Sequence, residues 1–383
     1  MKFNKIFFLL LLIGLLTACS NLSNSEARNK YHEKYKKDTI YIGIAWPLED
    51  YSESFLNGLN LAKEKINQKG VLDNKKIEFI FKDDKSSVTD GLKVANEFGA
   101  NKDIFAVIGH RDSYISLPTS AIYNSFGILM MTPGSTNPQI TNQGFDYVIR
   151  TIPSDYFIGK EAAEYFIEKK YKNVVIYYEK TDYGRALANS FEDKATLSGI
   201  NIVDRRPFES GSEREFRVDL NYWSYLEFDA FFLAAVMPAG PEFIKTARQN
   251  GFIQPVIGGD GLDHIDLISL GEKDVEGTVA MSVFNPNENR KIVKNFKNEF
   301  YEKYNENPDV WAAQAYDTLN LLVYAINTTK TTQPAKLSEF IKNIDSYEGV
   351  SGFHKFDKNG DVIDKNIVKK IVVNSKFNFL EEK

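Results

Sequence analysis

The sequence predicts an α/β protein with two doubly wound lobes, each built on a mainly parallel sheet. From Thr39 onward, short apolar runs alternate with longer segments whose apolar residues recur at helical spacing. The short runs are continuously apolar, as expected of parallel strands that are buried on both faces. This alternation occurs once before about residue 154 and again after it, so we expect two lobes of similar architecture.

The first lobe begins with a strand at 39–45 and a helix at 52–68, whose apolar residues Phe55, Leu59, Ala62 and Ile66 share one face. Gly70 is expected to end this helix. Further strands are predicted at 77–81, 105–108 and 128–131, with a helix at 89–101 between the first two of them.

The second lobe is predicted to begin with a helix at 156–169 and a strand at 173–178. Three more helices are expected at 184–197, 214–224 and 240–249, and strands around Ile202 and at 230–234 and 256–257. Two late helices follow at 290–304 and 310–326, and then a hairpin whose turn is Asp357–Gly360, with Asn-Gly as the turn signal.

Length and charge restrict the function. The chain has 383 residues, which exceeds one typical core, and 43% hydrophobic with 26% charged residues is ordinary for a globular protein. The net charge of -5 gives no basic footprint for a nucleic acid. The single cysteine excludes a disulfide within the chain.

The N-terminus predicts export. Residues 1–18 carry Lys2 and Lys5 and then an apolar run too short to span a membrane, which is typical of a signal peptide. Leu16-Thr17-Ala18-Cys19 resembles a bacterial lipobox, so we expect Cys19 to be lipidated and to anchor the protein to a membrane. The alternative is an ordinary signal peptide with a chance cysteine. Residues 19–37 are predicted to be the lipidated cysteine and a polar tether.

Two polar loops follow neighbouring strands of the first lobe. Gly109–Ser113 opens a helix, and Pro133–Pro138 follows the next strand. Hydroxyls and free backbone N–H groups at a helix N-terminus suit an anion such as a carboxylate. The alternative is that Ser113 only caps its helix and Thr136 only orders a turn.

Ordered sequence blocks carry a family resemblance. They are YIGIAWPL (Tyr41–Leu48), NGLNLAKEKIN (Asn57–Asn67), IEFIFKDD (Ile77–Asp84), DYGRALANSF (Asp182–Phe191), IGGDGL (Ile257–Leu262), EGTV (Glu276–Val279) and QAYDTLNLLVYAI (Gln314–Ile326). In this order they resemble the type I periplasmic solute-binding proteins of the leucine/isoleucine/valine-binding family, the capture subunits of amino-acid ABC importers. The resemblance implies the type I periplasmic-binding-protein fold, with a hinge of three crossovers near Pro153, Asn285 and Val350. Lobe 1 would comprise 38–153 plus 285–350, and lobe 2 would comprise 154–284 plus 351–383.

The resemblance also implies a ligand site between the lobes. Ser113 and Thr136 match hydroxyls that bind the α-carboxylate of an amino acid, together with backbone N–H groups of Gly134, Ser135 and Thr136. Asp260 matches an acidic residue that pairs with the α-ammonium, and a turn aspartate is its alternative. Tyr183 matches an aromatic residue that lines the cleft. Asp155 is expected to be a hinge, cleft or surface residue.

Three departures from the family pattern leave the ligand side chain open. The loop after Pro47 is short and lacks the customary glycines, which leaves Trp46, Glu49 and Tyr51 near the ligand. Met237 stands where an aromatic residue is common, and a methionine wall is adaptable. Arg111 and Asp112 replace small or neutral residues in the first binding loop, and Asp112 is a candidate ligand contact.

We therefore expect a lipid-anchored, extracytoplasmic, monomeric binding protein that captures an amino acid or related small carboxylate for an ABC permease. A sensory, co-receptor or protein-interaction lipoprotein on the same fold is the alternative. No enzyme is expected, because the four histidines are widely separated and His110 is predicted to be an ordinary loop or core residue. The sequence also lacks the zinc-protease, nucleophile-elbow and P-loop motifs. No cofactor, metal or nucleic acid is expected.

Overall fold

The computed structural model describes residues 22–48, 52–72 and 74–380. The predicted signal peptide, Cys19, Glu49 and Tyr51 lie outside these residues. Within the described ranges, no helix is both long enough and apolar enough to cross a membrane. The architecture is mixed α/β with two main sheets, as predicted, and a third small sheet beside the first.

The first sheet has five parallel strands in the order β2-β1-β3-β4-β5. Its strands are β1 (Thr39–Trp46), β2 (Lys76–Asp83), β3 (Ile104–Gly109), β4 (Leu129–Thr132) and β5 (Val148–Arg150). Helices α2 (Glu53–Lys69), α3 (Val88–Ala100), α4 (Ser113–Phe126) and the short α5 (Gln139–Asn142) connect them, and α1 (Asn24–Glu33) precedes them. Strands β3 and β4 are fully buried, in agreement with their continuous apolar sequences.

The second sheet has seven strands in the order β15-β14-β10-β9-β8-β6-β7. Its strands are β6 (Asn173–Glu179), β7 (Asn201–Phe208), β8 (Ala230–Ala234), β9 (Val256–Gly258), β10 (Val279–Ser282), β14 (Val368–Val373) and β15 (Lys376–Phe379). Its helices are α6 (Asp155–Glu168), α7 (Asp182–Leu197), α8 (Glu213–Trp223), α9 (Ala239–Gln249) and α10 (Ile265–Gly271). β14 is antiparallel to β10, so this sheet is not wholly parallel.

Two late helices return to the first sheet, α11 (Lys291–Tyr304) and α12 (Val310–Thr329), followed by α13 (Pro334–Lys342). α12 packs closely on α2 at Gly58, where a Cβ atom would lie 2.3 Å from the carbonyl oxygen of Ala312. The glycine therefore permits a helix contact that an alanine would block.

The segment predicted to be a polar tether is partly helical and folded onto the first lobe. In α1, Arg28 and His32 are buried. The Arg28 guanidinium donates to the carbonyl oxygens of Gly99 (2.6 Å), Asn101 (2.8 Å) and Phe126 (2.8 Å), and also to that of Ile104. Helix C-termini leave carbonyl groups unpaired and favour a cation, which explains why a polar helix docks here.

The segment that follows the expected third crossover near Val350 does not enter the second sheet at once. Strands β11 (Tyr347–Gly349), β12 (Gly352–Phe356) and β13 (Val362–Ile363) form the small sheet. The predicted turn Asp357–Gly360 is confirmed, but it lies against β5, where the Arg150 N–H donates to the Gly360 carbonyl oxygen at 2.8 Å. The chain enters the second sheet only at β14. We therefore propose that lobe 1 extends to about residue 363.

A buried lysine connects the crossover segments. The Lys365 ammonium donates to the Thr151 carbonyl oxygen (3.0 Å), Gln314 Oε1 (3.0 Å), Ser351 Oγ (2.8 Å) and His354 Nε2 (3.0 Å). Burial lowers the pKa of Lys365 to about 7, although the Asp317 carboxylate opposes that shift. One side chain thus joins the segments where the chain passes between the sheets.

Candidate functional site

The two polar loops of the first lobe lie side by side because β3 and β4 are neighbouring parallel strands. Thr132, the last residue of β4, donates its hydroxyl to the His110 carbonyl oxygen at 2.9 Å. Its oxygen also accepts from the backbone N–H groups of Gly134 (3.4 Å) and Ser135 (3.1 Å). One threonine therefore fixes the second loop on the first.

Ser113 is the first residue of α4, and its hydroxyl oxygen accepts from the Asn137 N–H at 3.2 Å. The N-cap position is Asp112, whose side chain makes no capping hydrogen bond. Ser113 is therefore not the helix cap. Its hydroxyl faces the second loop, and among the described residues no acceptor takes its proton.

Thr136 provides the unpaired polar group of this half-site. Its hydroxyl is buried and has no hydrogen-bond partner within the described ranges. Its carbonyl oxygen accepts from the Asp155 N–H at 2.8 Å and from the Arg150 guanidinium at 3.2 Å, which fixes the residue firmly. The nearest acidic group is the Asp155 carboxyl, whose raised pKa the Thr136 hydroxyl partly opposes. A rigid buried hydroxyl without a well-formed hydrogen bond is suited to a ligand oxygen.

Gly134 and Ser135 do not offer the free groups that the resemblance implies. The Ser135 hydroxyl lies 2.6 Å from that of Ser116 and can donate to the carbonyl oxygens of Arg111 (2.9 Å) and His110 (3.1 Å). The N–H groups of both residues already face the Thr132 hydroxyl. The hydrogen bonds of these two residues thus lie within the first lobe, and their contact with the ligand stays a prediction.

Trp46 forms the wall beside the second loop. Its ring stacks on Phe55 with centroids 3.6 Å apart, and the indole N–H has no partner among the described residues. A Cβ atom at Gly134 would lie 3.0 Å from both this ring and the Arg111 Cα atom. Gly134 therefore lets the loop approach the tryptophan.

The second lobe contributes two side chains that contact each other: Tyr183, at the start of α7, and Asp260, in the loop that follows β9. The Tyr183 hydroxyl donates to Asp260 Oδ1 at 2.9 Å and accepts from the Gly261 N–H at 2.8 Å. A Cβ atom at Gly259 or Gly261 would lie within 3.0 Å of this hydroxyl oxygen, so both glycines are needed for the contact. Burial raises the pKa of Asp260 to about 6, and the Tyr183 hydrogen bond partly opposes the shift.

Asp155 lies beside these groups at the start of α6. Its side chain is completely buried, and neither carboxyl oxygen has a partner in the described part of the chain. Burial raises its pKa well above the usual value, and the negative charge of Asp260 raises it further. The positive charge of Arg150 only partly opposes this rise. A buried acid with a strongly perturbed pKa beside a second acid is typical of binding sites.

The two lobes meet next to this cluster, where the Asn137 side-chain amide donates to the Asp182 carbonyl oxygen at 2.8 Å. Asn137 follows Thr136, and Asp182 precedes Tyr183. The hydroxyl half-site of the first lobe therefore faces the acidic half-site of the second.

The remaining predicted residues lie further out. Asp112 pairs with Arg111 at 3.2 Å, and the Arg111 guanidinium also donates to Ser86 Oγ at 2.9 Å. Arg111 is thus already paired. Met237 is half-buried against the second-lobe core, beside the loop that precedes α9.

Two buried polar contacts that position the site are not apparent from the sequence. Arg150 pairs with Asp361 at 2.6 Å and donates to the Asn137 carbonyl oxygen at 2.5 Å. His110 Nδ1 lies 2.5 Å from Asp84 Oδ2, and its Nε2 lies 3.1 Å from the Tyr123 hydroxyl. His110 is therefore a core histidine, as predicted. Arg150 could have been noticed in the sequence, because it is a charged residue in an otherwise apolar strand.

The comparison with protein families is decisive. The family model for periplasmic binding proteins matches residues 39–368. The chain belongs to the periplasmic binding protein family. This is a family of substrate-binding proteins and not of enzymes, and the predicted recognition and fold class are confirmed. No group of three or more His, Cys, Asp or Glu residues that could hold a metal occurs in the described ranges of this binding protein.

Relatives of this binding protein include a leucine-specific-binding protein from Salmonella typhimurium, 28% identical over 330 residues that cover 85% of this chain and 88% of the relative. A Leu/Ile/Val-binding protein homolog 2 from Brucella abortus is 29% identical, with 84% and 87% covered.

Solved structures of other binding proteins have a similar fold. An ABC transporter substrate-binding protein from Desulfitobacterium hafniense in complex with Leu is 35% identical, with a TM-score of 0.81, and the match covers 89% of this chain and all of that one. A leucine-binding protein from Thermotoga maritima has a TM-score of 0.84 at 29% identity, with 89% and 98% covered.

Proposed function

We propose that this protein binds an α-amino acid between its two lobes and delivers it to an ABC permease. The α-carboxylate accepts hydrogen bonds from the Ser113 and Thr136 hydroxyls of the first lobe. The α-ammonium lies between the carboxylates of Asp155 and Asp260. The side chain of the bound amino acid is then surrounded by Trp46, Met237 and, at the edge of the cleft, Asp112.

The proposal depends on two buried polar groups that lie close together, the hydroxyl of Thr136 and the carboxyl group of Asp155. Among the described residues, the Thr136 hydroxyl and both oxygens of Asp155 have no hydrogen-bond partner of normal geometry. The hydroxyl lies near enough to the Asp155 carboxyl group to oppose the rise in its pKa. An unsatisfied buried polar group costs roughly 1–3 kcal/mol, and charged groups cost more. A zwitterion satisfies both at once, with its negative end at the hydroxyls and its positive end at the acids.

The acidic pair favours an amino acid over a simple carboxylate. A second anion beside Asp155 and Asp260 would meet like charge, whereas an ammonium would favour the ionised form of both groups and so oppose the effect of burial on their pKa. The relatives described above, which are named for leucine and for leucine, isoleucine and valine, support the same ligand class.

Closure supplies the transport signal in this proposal. A ligand that is bound first by the hydroxyl loop gains the contacts with Asp260 and Tyr183 only when the lobes meet, so its affinity for the closed form is higher. The lipid on Cys19 would keep the protein at the membrane where the permease lies. We propose an extracytoplasmic location on this basis.

Calorimetry with three matched ligands tests the assignment. Leucine should bind, whereas the same carbon skeleton without the amino group, and the corresponding amine without the carboxylate, should each bind at least about 100-fold more weakly, because each leaves one half-site unpaired. Equal binding of leucine and its deaminated analogue would contradict the ammonium site. If none of the twenty common amino acids binds, the proposal that the ligand is an α-amino acid is contradicted.

A further inference from the structure

The N-terminal helix α1 has two chemically different faces. Arg28 and His32 point inward and are buried. Ala27, Lys30, Tyr31 and Lys34 recur at the i, i+3, i+4 and i+7 spacing of one helix face, and they line a groove on the outside of the lobe. The helix is thus fixed on the lobe by one face and presents the other to its surroundings.

The outward face is part of a lysine-rich area. Five lysines line the groove: Lys30, Lys34, Lys36, Lys37 and Lys102. Lys37 pairs with Asp103 at 2.6 Å. We call the other four the lysine surface. They are exposed, and no carboxylate among the described residues lies within ion-pair distance of them.

The surroundings of the lysine surface add to its positive charge. Lys75 and Lys330 flank the opposite side of α1, where Glu33 is the acidic neighbour. Tyr31 and Tyr35 lie between the lysines. The chain as a whole has a net charge of -5, so this area has the opposite sign to the rest of the molecule. A negatively charged surface would attract this side of the protein and repel the others.

The place of the lysine surface in the chain identifies its partner. Cys19 precedes Leu22 by three residues, so the chain between them spans at most about 11 Å. If Cys19 carries the lipid proposed above, the start of α1 is held close to the bilayer. The lobe is then held there too for as long as α1 stays docked on it. We propose that the lysine surface docks on an anionic phospholipid bilayer and orients the anchored protein. This inference rests on the proposed anchor but not on the proposed ligand.

The physical basis is short-range attraction to head-group phosphates. A lysine near an anionic membrane contributes about a fivefold gain in binding, and the effect decays within a Debye length. Tyrosines are favoured at the head-group level, where one end of the side chain is apolar and the other is hydrated. Four unpaired lysines and the exposed Tyr31 on one rigid face fit such a surface.

Amine labelling of the lipidated full-length protein tests the docking. The protein is reconstituted into vesicles of phosphatidylcholine alone or mixed with phosphatidylglycerol, and acetylation of each lysine is followed by mass spectrometry. Lys30 and Lys34 should react at least about fivefold more slowly on the anionic vesicles, and about 1 M salt should abolish the difference because the screening length falls to about 3 Å. Equal rates on both vesicles would overturn the proposal.

A second assay separates the lysine surface from the acyl chains. The chain from Ser20 onward, which carries neither the predicted signal peptide nor Cys19, is sedimented with anionic vesicles. Alanine at Lys30, Lys34, Lys36 and Lys102 should weaken this binding more than about 100-fold. The matched control carries alanine at four other exposed lysines that form no ion pair with a described residue, and it changes the net charge equally; they are Lys160, Lys170, Lys358 and Lys376.

The control variant should bind the vesicles almost as well as the parent. If the two variants lose vesicle affinity equally, the binding depends on net charge alone, and the proposal that the lysine surface docks on the bilayer is overturned. Protection of Lys30 by soluble inorganic phosphate alone would assign a small-anion site and also overturn the proposal. Amino-acid affinity should be unchanged in both variants, so failure here is distinguishable from failure of the proposed ligand site.

Discussion

Replacing Asp260 with asparagine should stabilise the ligand-free protein and abolish its binding of amino acids. Burial raises the pKa of the Asp260 carboxyl group from 3.8 to about 6. Because the folded pKa lies above the unfolded one, this group destabilises the fold as the pH rises from about 4 to about 6, and the full cost remains at higher pH. Asparagine keeps an acceptor for the Tyr183 hydroxyl and removes the charge.

The size of the effect follows from the shift. At about 1.4 kcal/mol for each pKa unit, the raised pKa corresponds to roughly 3 kcal/mol at pH 8. We expect Asp260→Asn to gain up to this amount in free energy of unfolding. Loss of a buried charged partner of the ligand ammonium costs about 3–5 kcal/mol, so leucine affinity should fall at least about 100-fold.

Urea denaturation without ligand measures the first effect, and calorimetry measures the second. Asp219→Asn is the matched control, because Asp219 also accepts from a tyrosine hydroxyl, that of Tyr177 at 2.9 Å. Asp219 differs in having a cation partner, since Arg206 donates to it at 2.7 Å. The control should therefore lose stability by about 1–3 kcal/mol and keep its leucine affinity.

The stability gain of Asp260→Asn should shrink toward zero below about pH 3, where the wild-type carboxyl group is protonated in both states. A variant that is less stable than wild type at pH 8 would refute the reasoning about the raised pKa. Unchanged leucine affinity would refute the role of Asp260 as a partner of the ammonium.

Four further outcomes are expected. Leucine affinity measured by calorimetry should fall at least about tenfold for each pH unit below about 6, because Asp260 and Asp155, whose pKa values are both raised, must lose their protons to pair with the ammonium, and a flat profile would contradict this. Thr136→Val should weaken leucine binding about tenfold without loss of stability in urea, whereas Ser135→Ala should cost about 1–3 kcal/mol of stability with little change in affinity; the reverse pattern would exchange their roles. Arg28→Ala should speed amide hydrogen exchange across α1, because four carbonyl groups lose their donor; unchanged exchange would show that other contacts dock the helix. Lys365→Met should remove a rise in stability above about pH 7, which the lowered pKa of this lysine predicts; a rise that persists in the variant would belong to another group.

The main helices and strands could be predicted because their apolar residues repeat with clear periods. The strand at Ile104–Gly109 is buried throughout, as its sequence indicates, and the helix at Glu53–Lys69 buries Phe55, Leu59, Ala62 and Ile66 on one face. Ser113 and Thr136 were predictable in kind from hydroxyls that follow neighbouring strands. Such features depend on local sequence.

Features that depend on distant partners could not be predicted. Ser135 and Thr136 have similar side chains, and only the position of Ser116 and the carbonyl groups around it decides which hydroxyl is free. Helix α1 lacks an apolar face, and its inward residues Arg28 and His32 bind carbonyl and hydroxyl groups that apolar periodicity does not detect. The position of the turn Asp357–Gly360 against β5 is likewise accompanied by a long-range contact, that between the Asp361 carboxylate and Arg150.

The docked helix α1 makes the two lobes unequal with respect to the membrane. Arg28 joins the N-terminal end of the chain to the first lobe alone, through the ends of helices α3 and α4. If the lipid is on Cys19, the first lobe is stationary and ligand-driven closure displaces the second. Height above the bilayer would then change for Tyr183 and Asp260 but not for Ser113 and Thr136. A permease embedded in the same bilayer could thus distinguish the loaded protein by the position of one lobe.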